Sequence, residues 1–131
     1  IYNDSLNTIT FERLTDKSLL EHTIFHLDEN GHITRLDIHY VGVNLSSSRT
    51  MKFDKTGKKL EEDSGEMLNK YKYDDRDFLI KSTSNYMNSQ YVSEYKYLVD
   101  RQGNWIRKIQ YAQGMPLQIS EREIEYYSTK E

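Results

Sequence analysis

Four histidines, His22, His26, His32 and His39, fall in one short stretch of the chain. Imidazoles hold a first-row metal ion when three or four of them converge at bond length. A hairpin centred on Asp28–Gly31 would set His26 across from Thr34 and His22 across from Ile38, with His32 at the turn and His39 beyond. The rings are then expected to stay apart, as solvated strand residues, and no metal site is expected. Acids cluster at Glu61-Glu62-Asp63, Asp74-Asp75 and Glu121/Glu123. A glycosidase requires two carboxyls facing across a cleft, about 5 Å or 6.5–9.5 Å apart, one of them with a raised pKa. Neighbouring carboxylates on polar connections do not supply that pair. The chain carries no Gly-x-Ser-x-Gly, no Gly-rich phosphate loop and no defensible Ser/His/Asp set. It is read as non-enzymatic and without a cofactor, a hydrolase using an acidic pair being the alternative.

Aromatic residues offer a different chemistry, since the chain holds 11 Tyr and a single Trp. Trp105, Tyr95, Tyr97 and Tyr111, with Arg107 among them, are the candidate ligand-binding residues. Such rings could form a platform for flat sugar faces or a partner's apolar side chains, with Arg107 donating hydrogen bonds or lying over a ring. The competing reading makes the same face the core, because an exposed aromatic face of this size invites aggregation. Solvent exposure of Trp105 distinguishes the two.

The elements that must position these residues come from an internal repeat. Asp-x-x-Gly occurs at Asp28–Gly31, Asp54–Gly57 and Asp100–Gly103, with a decayed copy at Asp74–Asp77, and the anchors lie 26, 20 and 26 residues apart. Each copy has apolar residues four and six before its anchor. This spacing predicts a three-residue hairpin loop, a type I turn closed by a left-handed residue. Glycine adopts that conformation freely, and the Asp side chain accepts backbone N–H groups two residues on. Asp77 in the Gly position marks the third turn as the most strained.

The turn also predicts register. In the fourth copy Val99 is expected opposite Trp105, Tyr97 opposite Arg107 and Tyr95 opposite Ile109. Tyr95, Tyr97, Val99, Trp105, Arg107, Ile109 and Tyr111 would then share one face, with Lys96, Leu98, Ile106, Lys108 and Gln110 on the other. In the first copy the apolar phase changes between Leu27/Ile33 and Leu36, Ile38 and Tyr40. That predicts either a bulge near Thr34–Leu36 or burial of both faces. Asn44–Thr50, Glu61–Glu66 and Tyr86–Gln90 read as polar links, and Gln113–Pro116 as a turn into a last strand near Leu117–Tyr127. Thr8–Phe11 reads as a strand, Ser18–His22 as a helical turn or a loop, and Glu61–Lys70 as the one stretch suited to a short helix.

Composition sets the outer bounds. At 131 residues a single domain, 1–131, is expected, with repeat units near 22–45, 46–66, 69–90 and 91–127. A net charge of −3 from 18 basic and 21 acidic residues gives no basic patch for nucleic acid. No apolar run is long enough to span a membrane as a helix. The absence of Cys excludes disulfides and thiolate chemistry but leaves the compartment open. Because Ile1 is not an initiator Met, the sequence reads as a mature or trimmed form.

The unit Tyr71–Asp77, the run Asp100–Trp105 and the closing Arg122–Tyr126 together resemble the YD-repeat, rearrangement-hotspot-like proteins, in particular the repeat-bearing proteins of bacterial cell envelopes. The resemblance covers roughly 24–127. It implies consecutive antiparallel hairpins, export from the cytoplasm (periplasmic, outer-membrane-anchored or secreted), and a role in shells, surfaces or the binding of carbohydrate or another envelope protein. The resulting expectation is an all-β domain of consecutive antiparallel hairpins, roughly eight to ten strands in one strongly curved sheet or partly open barrel. Its expected role is that of a non-catalytic binding or structural module. A segment that pairs edge to edge with further repeats is the other alternative.

Overall fold

The computed structural model describes residues 2–3, 7–14, 20–41 and 46–128, and these contain strands and turns but no helix. In chain order the strands are β1 (Tyr2–Asn3), β2 (Thr8–Leu14), β3 (Leu20–Leu27), β4 (Ile33–Val41), β5 (Ser46–Phe53), β6 (Lys59–Asp63), β7 (Met67–Tyr73), β8 (Leu79–Tyr86), β9 (Ser89–Val99), β10 (Trp105–Ala112) and β11 (Met115–Glu121). Their hydrogen-bonded order is the chain order, so the sheet is an open succession of hairpins, as the repeat predicts. Contacts divide the chain into two compact units, Ile1–Tyr71 with Thr83–Gln90, and Lys72–Ser82 with Tyr91–Glu131.

Two kinds of turn recur among the described residues. At each of the four repeat turns the Asp carboxylate Oδ1 accepts the N–H groups of the residues two and four on, at 2.8–3.0 Å. The fourth turn residue donates its N–H to the Asp carbonyl at 3.0–3.1 Å, closing the turn. That residue is left-handed in every copy, with φ of 81° at Gly31, 85° at Gly57 and Gly103, and 65° at Asp77. The other kind is a two-residue hairpin turn of the primed types, which suits the twist of antiparallel strands. Met87–Asn88 and Gln113–Gly114 have positive φ at both residues, and Gly65, φ 87°, opens the turn before Glu66.

Conformation, not space, is what the repeat glycines contribute. A Cβ on Gly57 would meet nothing within 4 Å, yet the left-handed backbone disfavours any L side chain. Gly57→Ala is therefore expected to lower stability by about 1 kcal/mol. In urea unfolding the midpoint should fall with an unchanged slope, and Gly57→Asp should cost less, because Asp tolerates this region.

The strand boundaries correct five readings from the sequence. Glu61–Glu66 is not simply a polar link, nor Glu61–Lys70 a helix, for the stretch contains most of β6 and β7 joined through Ser64–Met67. The link at Tyr86–Gln90 shrinks to Met87–Asn88, and the residues 46–50 belong to β5. The last strand spans Met115–Glu121 and does not continue to Tyr127. Thr8–Phe11 lies in β2 as expected. Residues 15–19 and 42–45 lie outside the described residues, so only Leu20–His22 of the uncertain Ser18–His22 segment is seen, and it is strand.

A bulge follows the turn in a fixed place. In the first copy Leu27 pairs with Ile33 and His26 with Arg35, leaving Thr34 extra. In the second Phe53 pairs with Lys59 and Lys52 with Glu61, leaving Leu60 extra. In the fourth Val99 pairs with Trp105 and Leu98 with Arg107, leaving Ile106 extra. Each extra residue stands three after the turn anchor. The bulge expected near Thr34–Leu36 is thus present and belongs to the repeat. It also overturns the register beyond the first pair. Tyr97 meets Lys108 and Tyr95 meets Gln110, not Arg107 and Ile109. His26 meets Arg35 and His22 meets His39, not Thr34 and Ile38. Two residues facing one shift every later side chain by a position, which a period-two reading does not register.

In the first unit this pairing sorts residues by face. Ile9, Phe25, Leu36 and Met51 form one cross-strand row, and Phe11, Thr23, Ile38 and Arg49 the next. Ile38 is the only apolar residue among the described ones to be buried, at 9% exposure, while Phe11 keeps 56%. Stability must come largely from many cross-strand pairs, each contributing roughly 0.2–1 kcal/mol, and not from a deep core.

Candidate functional site

The bulge at Ile106 decides what the aromatic residues can do. Tyr95, Tyr97, Val99, Trp105, Lys108 and Gln110 share one face of β9 and β10, whereas Lys96, Leu98, Arg107, Ile109 and Tyr111 share the other. Of the five candidate binding residues, the fold brings together Trp105, Tyr95 and Tyr97 and places Arg107 and Tyr111 behind them. Arg107 instead pairs with Glu121 at 2.7 Å, and Tyr111 lies under the Lys96 ammonium at 5.2 Å.

Three residues outside the five candidates complete the group. Phe78 lies 4.9 Å from the Tyr97 ring, which stands 6.5 Å from Trp105. The Tyr97 hydroxyl donates to the Leu79 carbonyl at 2.6 Å, and burial, with Tyr95 and Asp74 adding to it, pushes its pKa up. Lys108 reaches over both Trp105 and Tyr95, at 5.6 and 5.9 Å. The Arg122 guanidinium covers the indole at 3.9 Å while its Nε donates to the Trp105 carbonyl at 2.6 Å. Trp105 is half-buried, beneath cations of its own chain. Both Lys108 and Arg122 therefore engage the indole through cation–π contacts.

Arg122 belongs to a segment that returns to the fourth turn. Each repeat Asp has a second oxygen, Oδ2, to satisfy. His32, Lys58 and Arg76 serve it from within the first three turns, at 3.2, 3.3 and 2.8 Å. The fourth turn uses the Tyr126 hydroxyl, which also accepts from Asn104 at 2.7 Å. This hydrogen bond holds Asp100 below its ordinary pKa and Tyr126 above its own. The Thr56 hydroxyl and turn N–H groups hold Asp54 at about 2.

The polar face of the first unit collects the remaining chemistry. Asp37, 8% exposed, accepts from Arg35 Nε and Thr50 Oγ1 at 2.9 Å each and from His26 at 2.8 Å. Burial raises its pKa, but these three contacts outweigh it and the carboxyl stays lowered. Beside it runs a row across four strands, Glu12, His22, His39 and Ser48. The His22 and His39 rings stand 6.4 Å apart, edge to face. Among the described residues no group of three or more His, Asp or Glu is arranged to hold a metal ion.

Several of the clustered acids are tied to neighbouring cations or to a turn. Glu61 lies 3.3 Å from Lys52, Glu62 lies 2.8 Å from Lys59 and 3.4 Å from Arg49, and Asp63 caps the turn at Gly65. Burial at Asp74 is outweighed by the Phe78 N–H and by Arg76, which lower its pKa, opposite to the shift a general acid requires. A depression of about 360 Å3 lined by Leu98, Ile106, Arg107, Glu121, Arg122 and Glu123 accompanies the returning segment. No protein-family model matches this chain, and no curated protein matches it either.

Proposed function

We propose that this chain is a non-catalytic structural module, a hairpin scaffold working outside the cytoplasm, in or on a bacterial envelope, in the manner of YD-repeat proteins. The supporting observation is the pairing order: every strand bonds only to its neighbours in the chain, so length grows by adding hairpins. The cations over Trp105 favour scaffolding above open ligand capture. Pro116 favours it above edge-to-edge assembly, for in a two-residue hairpin closed by Ala112 and Met115 the next residue turns its nitrogen outward. A proline there withholds an edge donor.

Acrylamide quenching of the single Trp, repeated with a panel of soluble glycans, tests the reading. Intermediate quenching with no glycan response is expected, and Arg122→Ala should raise quenching by uncovering the indole. A saturable glycan response would replace scaffold by ligand-binding module. Release of reducing ends from any glycan would overturn the non-catalytic assignment, and recovery of the full gene product in the cytosol would overturn the envelope location.

A further inference from the structure

The histidine row carries chemistry that scaffolding does not use. His22 and His39 are directly opposed on β3 and β4, and opposed residues on antiparallel strands have Cβ atoms about 4.5–5.5 Å apart. Each ring is held by the same nitrogen. His22 Nδ1 lies 3.2 Å from Glu12 Oε1, and His39 Nδ1 lies 2.8 Å from Ser48 Oγ. A carboxylate at Nδ1 keeps the proton there, and a hydroxyl accepts one equally well, so both Nε2 lone pairs are left outward. Neither Nε2 takes part in a hydrogen bond or ion pair among the described residues. Metal-binding histidines have this arrangement, one nitrogen oriented by an outer partner and the other presented to the ion. His26 commits Nε2 to Asp37, and His32, though its Nδ1 is likewise held by Asp28, has no second imidazole opposite it.

We infer that His22 and His39 form a two-imidazole site for a divalent first-row transition ion, with Glu12 and Ser48 as positioning residues and water completing the coordination. With Nε2–metal bonds of 2.0–2.1 Å, two imidazoles around one ion have ring centres about 5 Å apart. The rings stand slightly wider than this, 6.4 Å, a gap that small side-chain rotations close. Imidazole donors select Cu2+, Ni2+ and Zn2+ over Mg2+ and Ca2+, and Cu2+ should bind most tightly. Two protein ligands leave positions open, so the site suits exchange of its ion and not permanent structural binding.

Calorimetric titration of the full chain with copper, nickel and zinc chlorides at neutral pH provides the test. One ion per chain is expected, with Cu2+ tightest. His22→Gln or His39→Gln should each weaken Cu2+ binding roughly a hundredfold, since the second imidazole acts at high effective concentration. Glu12→Gln should weaken it about tenfold through loss of the orienting partner. His32→Gln should leave it unchanged. Paramagnetic broadening by Cu2+ in the unaltered protein should strike the His22 and His39 ring protons first, a measurement that stands even where a variant fails to fold. Unchanged binding in the His22→Gln/His39→Gln double variant, loss of binding in His32→Gln, or broadening centred elsewhere would each overturn the site.

Discussion

Asp37→Ala is expected to lower stability by about 2 kcal/mol at neutral pH, among the largest effects of any polar substitution in this chain. The carboxylate is 8% exposed and accepts from Arg35, His26 and Thr50. Hydrogen bonds to a charged group contribute about 1.5–3 kcal/mol. The lower part of that range applies because Arg35 is 49% and His26 35% exposed, so water can reach what the carboxylate leaves behind. The pH dependence has a definite sign. With its folded pKa below the unfolded value of about 3.9, Asp37 contributes stability that is complete above that value and lost as pH falls through the folded pKa. Urea unfolding between pH 7 and pH 2 should therefore show a shallower acid loss in the variant. Asp54, held at about 2, extends the acid decline of both proteins toward that pH.

On the other face of the same strand, Ile38→Ala should cost about 2–3 kcal/mol. Removing a buried Ile side chain forfeits its transfer free energy and leaves a partly filled cavity, for which about 2–5 kcal/mol is usual. The low end applies because Ile38 keeps 9% exposure and no other apolar side chain among the described residues is buried around it. Ile38→Val should cost about 1 kcal/mol. A loss in Ile38→Ala no greater than that of an alanine at exposed Leu117 would show that β4 carries no more of the stability than the last strand. Equilibrium unfolding followed by fluorescence and by far-ultraviolet circular dichroism measures both.

The four turns were legible in the sequence because their chemistry is local: an Asp and a left-handed residue at fixed spacing suffice. Consecutive antiparallel pairing followed from them. Local order also hid what came next, since the bulge at Thr34, Leu60 and Ile106 has no residue type of its own and appears only as a change of apolar phase. That change was visible near Thr34–Leu36. It was not visible in the fourth copy, where Trp105-Ile106 and Ile109 read acceptably in either phase. The split of Arg107 and Tyr111 from the other candidate residues follows from the extra Ile106, and the meeting of His22 with His39 from the extra Thr34. Tyr126 and Arg122 were beyond reach for another reason: their contacts with Asp100 and Trp105 depend on the path of a segment outside the repeat.

The fixed place of the bulge has a consequence for chain length. Turn geometry needs its Asp and its left-handed residue at exact separation, and the strand farther along needs its partners in step. The extra residue stands between these demands as slack. Loss of Thr34, Leu60 or Ile106 would flatten the ladder while leaving His22 across from His39, Met51 across from Glu62, or Tyr97 across from Lys108. A hairpin so made can vary by one residue beside its turn without exchanging the partners of anything beyond, which lets copies drift in length while the faces they present stay constant.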